Sequence, residues 1–549
     1  MERRVLLLAA AAVLWSCGGG SGRPSGPPAP IPDTIRTVTG VIAFQPTGPQ
    51  FGSVDANGRL MPLPGFTVPL FPRVAPRVPV EVLALDGTVL ATGTTDLNGR
   101  YEITTNFGNG ATATQVRIRV RALLRLPFGM VVRVCPRAGT PEYARESDPR
   151  GDPDFDPDFG VMPIDDFVIA LNDIAGAFHI LEHLYDGLVR AKSGVTGTMR
   201  DLDILWEPGN GDRSFLETRT FTPQLTVAGG ITGDPASNQD VWDPPVLMRL
   251  IGEYLLAFHF ADAAPTGTPT DTLLAPSAAW REGFLDWWSC TGRGSAVYWD
   301  TEGIGDEGRI TRYFVIESFF DPALGSLGPD DINVYQKPAN RGIGSAQSVA
   351  EVLWDIHDAD NLDDDNDGLT FPLFLTLRFL EEINLGGAGY PYLFSLFDRY
   401  TSDGTLDPVK LDIIVRMPEP QVATYPATED NGLLWPPQFK DGVATSLLAG
   451  YDGTLADRVD TTGPDVNLDL GLFSKRYFRF NVSGDVTALL TTTGGDLQVE
   501  ILRLDNTPVA SGITSVSALL TSGSYIARVS PRTNPQMVDF TLRLQLFLQ

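Results

Sequence analysis

The spacing of apolar residues changes twice along the chain, and this change limits the fold more than any other feature. Over residues 37–125 and again over 450–549, short apolar/polar alternations are separated by Gly and Pro, which predicts β-strands. Between these regions apolar residues recur three and four apart, which predicts helices. The predicted helical segments are 167–191, 242–263, 275–290, 346–358 and 371–383. The sequence therefore predicts a multidomain fold with an N-terminal β-sandwich, a central α-rich (α+β) domain and a C-terminal β-sandwich or jelly roll.

The N-terminus, residues 1–17, has the features of an export signal. Two arginines precede an apolar run from Val5 to Trp15, which is shorter than the roughly 20 residues of a membrane-spanning helix. The sequence LWSC that ends at Cys17 resembles the lipobox of bacterial lipoproteins, in which the cysteine receives lipid. Residues 18–36 are rich in Gly, Pro and Ser, as a flexible tether would be. We expect an exported chain, lipid-anchored in the cell envelope, at the outer membrane or cell surface, with plain secretion as the alternative.

The amino-acid composition limits the kinds of partner that the chain is expected to bind. A net charge of −27 over 549 residues disfavours nucleic acid and anionic lipid, since both require a basic patch. The lipid on Cys17 is therefore the expected membrane contact. Cys135 and Cys290 would remain after processing, and they are either a disulfide pair or two separate buried thiols.

The two β regions resemble known accessory domains. The alternating run VPVEVLALDGTVL at 78–90 and the polar turn TTDLNGRY at 94–101 predict a hairpin. Residues 37–125 resemble the carboxypeptidase regulatory-like (transthyretin-like) β-sandwich. After a Pro-rich connector at 417–449, the runs YFRFNV (477–482), LQVEIL (497–502) and SGSYIARV (522–529) resemble the pre-peptidase C-terminal domain.

The central region, 165–416, resembles exported bacterial zinc metallopeptidases of the gluzincin type. The resemblance rests on the order of LDILWEPGNG (202–211), an acidic DVWD (240–243), AWREG (279–283) and LWDIHD (353–358). In such proteins two histidines of an HExxH helix and a glutamate of a second helix bind zinc. Here the motif position reads IGEYLL at 251–256, so Gly252 and Leu256 replace both histidines. Glu253 retains the general-base position and Glu282 the third-ligand position, and the resemblance implies a zincin-like fold that has lost its zinc ligands.

A second pattern lies on the first predicted helix. The sequence AFHILEHL at 177–184 places His179 and His183 four apart with Glu182 between them, in the order H-x-x-E-H. It resembles the metal helix of insulinase-type peptidases, which implies a displaced zinc site formed by His179, His183 and Glu253 with Glu182 as base. The alternative is a polar stripe on an amphipathic helix.

An acidic run at 358–368 contains Asp363, Asp365 and Asp367 at the spacing of the first half of an EF-hand loop, without the glutamate at its end. It is either a calcium loop or a solvated turn, and no other cofactor is expected. Three functions stay open. The chain is a non-catalytic lipoprotein that binds a peptide or protein or serves as an envelope component, an active metallopeptidase with a displaced site, or a purely structural or adhesive lipoprotein.

Overall fold

The computed structural model describes the chain in separate ranges. These are residues 35–48, 51–54, 60–62, 68–69, 71–107, 115–150, 161–163, 166–171, 173–211, 213–218, 222–231, 234, 237–260, 276–302, 309–316, 346–357, 371–385, 452–460, 476–503, 508–532 and 537–548. Cys17 and the acidic loop of Asp363, Asp365 and Asp367 lie outside them, so both predictions stay predictions.

The N-terminal region consists of short strands, as its alternating pattern predicts. They are β1 (Ile35–Phe44), β2 (Thr47–Gly48), β3 (Phe51–Val54), β4 (Leu60–Pro62), β5 (Val68–Pro69), β6 (Arg73–Val74), β7 (Pro79–Leu83), β8 (Val89–Thr94), β9 (Arg100–Asn106), β10 (Arg117–Arg121), β11 (Leu123–Arg125), β12 (Val131–Cys135), β13 (Ala144–Glu146), β14 (Val161–Pro163) and β15 (Phe167–Ile169). Strand β1 pairs with β6, β9, β14 and β15, and a second sheet has the order β13-β10-β7-β8. Val38, Ile103, Val80 and Ile118 from the two sheets share one core, which gives this region two β-layers.

The polar turn at 94–101 does not close a hairpin, contrary to the prediction. Strand β8 pairs with β7, whereas β9 pairs antiparallel with β1, so the turn carries the chain from one sheet to the other. The Asp96 carboxylate accepts hydrogen bonds from the N–H groups of Asn98 and Arg100, at 2.7 and 2.9 Å. Gly99 has a φ of +69°, which favours glycine. This is a structural turn, and its local sequence does not specify which sheet the next strand joins.

A third sheet combines strands from before and after the first helix, α1 (Ala175–Gly194). Its order is β11-β12-β16-β18-β17, with β16 (Leu202–Trp206), β17 (Phe215–Glu217) and β18 (Gln224–Val227). Strand β16 is parallel to both β12 and β18. The hairpin β11–β12 therefore belongs to a sheet of the central region, and the domain limits 37–125 and 165–416 stay predictions.

The remaining helices follow the predicted segments closely. They are α2 (Pro244–Phe258), α3 (Pro276–Thr291), α4 (Ala346–Asp355) and α5 (Leu373–Leu385), with a hairpin of β19 (Val297–Glu302) and β20 (Arg309–Val315) after α3. The first predicted segment, 167–191, is wrong at its start, because Phe167–Ile169 is strand β15 and pairs with β1. Pairing with a distant strand outweighs the local apolar spacing there.

The C-terminal region is a β-sandwich, as predicted. Its strands are β21 (Asp452–Asp460), β22 (Arg476–Val482), β23 (Val486–Thr493), β24 (Leu497–Arg503), β25 (Pro508–Ile513), β26 (Ser515–Leu520), β27 (Gly523–Pro531) and β28 (Met537–Leu548). Two antiparallel sheets, β21-β28-β23-β26 and β22-β27-β24-β25, enclose a core that includes Phe480, Leu490, Val499 and Leu544.

A second, larger core runs through the N-terminal sheets and the helices, and includes Val38 of β1 and Leu380 of α5. The chain therefore has two hydrophobic cores and is multidomain. It is also rich in strands and has a central helical region. Within the described ranges, no helix is long and apolar enough to cross a membrane.

Candidate functional site

Side chains of α3 pack against α2 at the predicted zinc-ligand position Gly252. Gly252 faces α3 so closely that a Cβ atom there would lie 2.9 Å from Leu285 Cδ2 and 3.3 Å from Trp288 Cδ1. Leu256 is buried in the core, and Glu253 is half-buried on the same helix. An imidazole at position 252 therefore has no space next to α3.

An arginine neutralises the predicted third zinc ligand. The Arg249 guanidinium donates to Glu282 Oε2, and to Asp286 Oδ1 at 2.5 Å. Both acceptors lie on α3 with side chains that are 2% and 1% exposed, and Arg281 Nε lies 3.8 Å from Glu282 Oε1. Glu282 is thus held in an ion-pair cluster with Arg249, and the residues at positions 252, 256 and 282 do not fit a zinc ion of the gluzincin type.

The second pattern brings two imidazoles together. His179 Nδ1 lies 2.7 Å from the Val241 carbonyl oxygen, and the Nε2 atoms of His179 and His183 are 3.2 Å apart. Because a carbonyl oxygen only accepts, Nδ1 of His179 carries the proton, and its Nε2 accepts from Nε2–H of His183. Burial lowers the pKa of His179 to about 3 and that of His183 well below its usual range, so both rings are neutral.

Glu182 lies beside this histidine pair. Its Oε1 is 2.6 Å from an Arg73 nitrogen, and its Oε2 is 4.0 Å from His183 Nε2. That Oε2 is buried and accepts no hydrogen bond from any residue the structure describes. Burial raises the pKa of Glu182 to about 7, although the positive charge of Arg73 acts to lower this pKa. The helix therefore presents its two histidines and its glutamate to one buried space.

The structure does not bring Glu253 to the histidine pair as a close third ligand. In the part of the chain that is described, three potential ligands lie within 4.8 Å of one another at one place, formed by Asp240, Asp243 and Asp300. Asp240 and Asp243 belong to the acidic sequence before α2, and Asp300 lies on β19. Sequence analysis missed Asp300, because no local pattern shows that β19 returns to the start of α2.

In the triad of Asp240, Asp243 and Asp300, the first two side chains are buried and the third is partly buried. Burial raises the pKa of Asp240 to about 6. The pKa of Asp243 is well above its usual range, first because of burial and then because of the charges on Asp300 and Asp240. The triad and the histidine pair lie on either side of one turn, since the Val241 carbonyl between the two aspartates accepts the His179 hydrogen bond. Elsewhere, Cys135 and Cys290 are buried, and no disulfide bond joins them.

No protein-family model matches this chain, and no curated protein matches it either. The solved structures that are weakly similar to it include the following two. One is the periplasmic inhibitor of g-type lysozyme from Aeromonas hydrophila, PliG, at 11% identity, with 19% of this chain and 96% of that chain covered and a TM-score of 0.14. The other is the pre-peptidase C-terminal domain of a Bacillus anthracis collagenase, at 14% identity, with 20% and 99% covered and a TM-score of 0.14. At this level the two similarities carry no argument about function.

Proposed function

We propose that this chain is an exported, lipid-anchored protein of the cell envelope whose peptidase-like region is not catalytic. It would act by binding a peptide or protein, or as an envelope component. The observation that supports this most is the ion pair of Arg249 with Glu282, because a zinc site of the predicted type would need the Glu282 carboxylate free. Arg249 is a cation of the protein itself, paired with the carboxylate that the gluzincin resemblance assigns to the third zinc ligand, and an imidazole at position 252 would have to displace Leu285 and Trp288.

Zinc content and peptide hydrolysis test the non-catalytic proposal together. Full chain purified with zinc supplied and dialysed without chelator is expected to contain close to no zinc by elemental mass spectrometry. Hydrolysis of a mixed peptide library, followed by mass spectrometry, is expected to be equal for the wild type and Glu253→Ala. The reason is that no histidine remains on α2 to hold a metal beside Glu253.

An active metallopeptidase with a displaced site is the second candidate, and the histidine pair supports it. Tetrahedral zinc with bonds of about 2.0–2.1 Å separates two ligand nitrogens by roughly 3.4 Å, close to the 3.2 Å between the Nε2 atoms. The Val241 carbonyl also holds His179 Nδ1 as outer partners hold zinc-bound histidines. Zinc near one per chain that disappears in His179→Ala, with hydrolysis that disappears in Glu182→Ala, would establish this candidate and overturn the first.

Anchoring through Cys17 has its own test. In a bacterial host that processes lipoproteins, the full chain is expected in the membrane fraction and released only by detergent. Cys17→Ser is expected in the soluble fraction, because a peptide without acyl chains has no membrane contact of its own. The matched control Ser16→Ala should remain anchored, and mass spectrometry of the N-terminal peptide should show the lipid. A Cys17→Ser chain that still needs detergent for release would contradict the anchor.

A further inference from the structure

The acidic triad of Asp240, Asp243 and Asp300 lies largely inside the protein, where hydrogen bonds from neighbouring residues hold its carboxylates. Asp240 is the first residue of the 3-10 turn Asp240–Trp242 that precedes α2, Asp243 follows this turn directly, and Asp300 comes from β19. The Thr301 amide and hydroxyl donate to Asp243 Oδ2 at 2.8 and 2.7 Å. The Ser214 hydroxyl donates to Asp240 Oδ2. In each of these two carboxylates, hydrogen bonds therefore hold one of the two oxygen atoms in place.

The other oxygen of Asp243 has nothing to bind among the described residues. Asp243 is completely buried, and its Oδ1 accepts no hydrogen bond in the part of the chain that the structure covers. The neighbouring Gln239 is also buried with an unsatisfied side-chain oxygen, again counting only described partners. A buried oxygen acceptor without a partner is costly, and such atoms in native proteins usually have a water or ion as partner.

Among the described residues, one basic side chain, Arg293, is close enough for its charge to affect Asp243. Its guanidinium donates to the Val297 carbonyl at 2.9 Å and stacks over the Trp299 ring at 4.5 Å. Among the described residues neither Asp240 nor Asp243 forms a salt bridge. Three carboxylates in one buried space repel each other unless a cation lies between them.

We propose that Asp240, Asp243 and Asp300 bind one hard divalent cation, of which calcium is the expected kind. Carboxylate oxygens without nitrogen or sulfur ligands select this class of ion. With calcium–oxygen bonds of about 2.3–2.6 Å, two ligands of one ion are at most roughly 5 Å apart. The three ligand oxygens lie within 4.8 Å of one another and satisfy that limit.

The cation would join three elements of the central region. It links the turn before α2 to β19, and the same turn holds His179 of α1 through the Val241 carbonyl. The site is thus independent of the proposed loss of peptidase activity, because none of its ligands lies at the Glu253 or Glu282 position. It is also distinct from the sequence-predicted calcium loop at Asp363, Asp365 and Asp367.

The test uses the full chain, stripped with chelator and exchanged into metal-free buffer. Thermal unfolding and calorimetric titration are measured with calcium, magnesium and manganese. Saturating calcium is expected to raise the unfolding temperature of the wild type by about 5 °C or more. Asp243→Asn is expected to lose this shift and to bind calcium at least about 10-fold more weakly, because the buried ligand oxygen no longer carries charge. In the absence of a divalent cation, Asp243→Asn should be no less stable than the wild type, because the substitution removes the repulsion between Asp243 and the other two carboxylates.

Three further variants keep the result decisive. Asp300→Asn removes a ligand at a half-buried position and should give the same loss if Asp243→Asn fails to fold. The exposed Asp485→Asn is the matched control and should behave as the wild type. A calcium shift that survives Asp243→Asn and Asp300→Asn but disappears in the combined Asp363→Asn, Asp365→Asn and Asp367→Asn variant would overturn the proposal in favour of the loop. A wild type without any cation-dependent shift would overturn it as well.

Discussion

Replacing Arg249 with methionine is expected to destabilise the helical region by about 3–5 kcal/mol. The change leaves Glu282 and Asp286 on α3 without their shared guanidinium, and both side chains are almost completely buried. A buried carboxylate that loses its partner must either remain charged in an apolar medium or take up a proton, and both destabilise the folded state. Denaturant unfolding followed by tryptophan fluorescence measures the effect, because Trp287 and Trp288 on α3 are completely buried.

Two companion variants separate charge from packing. Arg249→Lys retains the charge but not the planar donors that contact both carboxylates, so an intermediate loss is expected. In the triple variant Arg249→Met, Glu282→Gln and Asp286→Asn, much of the lost stability should return, because neutral amides need no cation. Wild-type stability of Arg249→Met alone would contradict the central place of the Arg249 cluster, and with it the main support for the proposed function.

Introducing the two histidines of the gluzincin motif into α2 is expected to damage the fold rather than create a zinc site. Gly252→His should destabilise the helical region by about 1–3 kcal/mol, because overpacking a well-packed core forces its neighbours to move. Its Cβ atom alone would lie 2.9 Å from Leu285 Cδ2, and the ring extends further toward Trp288. The double variant Gly252→His and Leu256→His should therefore show no zinc-dependent hydrolysis. Tryptophan fluorescence during unfolding, elemental mass spectrometry and the peptide library measure these outcomes.

The matched control for this change is Gly252→Ala. Alanine introduces the same close contact at Cβ but gains about 1 kcal/mol of helix propensity, so its net cost should be much smaller than that of histidine. A double-histidine variant that unfolds like the wild type and binds one zinc per chain would show that the α2–α3 contact can open.

Both predictions concern the contact between α2 and α3, where the sequence was partly informative. It showed that Gly252 and Leu256 stand where the gluzincin resemblance expects histidine ligands, and that Glu282 remains at the expected third-ligand position. The structure adds Asp286 as a second acceptor for Arg249. It also adds the close approach of Leu285 and Trp288, because the distance between two helices depends on side chains that are far apart in sequence.

The sequence by itself determined the type of most elements. Apolar spacing of three and four residues identified α2 to α5, and alternation identified the two β regions, because both periods are set by the local backbone geometry of each element. The motif H-x-x-E-H likewise placed His179 and His183 on one helical face, one turn apart. These properties depend on neighbours within a few residues and can be derived without tertiary structure.

Only the tertiary structure decided which elements meet. The pairing of β15 with β1 converted the start of a predicted helix into a strand, and β9 left the expected hairpin to join β1. The meeting of Asp300 with Asp240 and Asp243 depends on where the β19 hairpin returns after α3. Contacts between segments that are distant in sequence determine which strands pair and which buried charges meet. A local sequence pattern does not report these contacts. For this reason the sequence alone did not predict the triad.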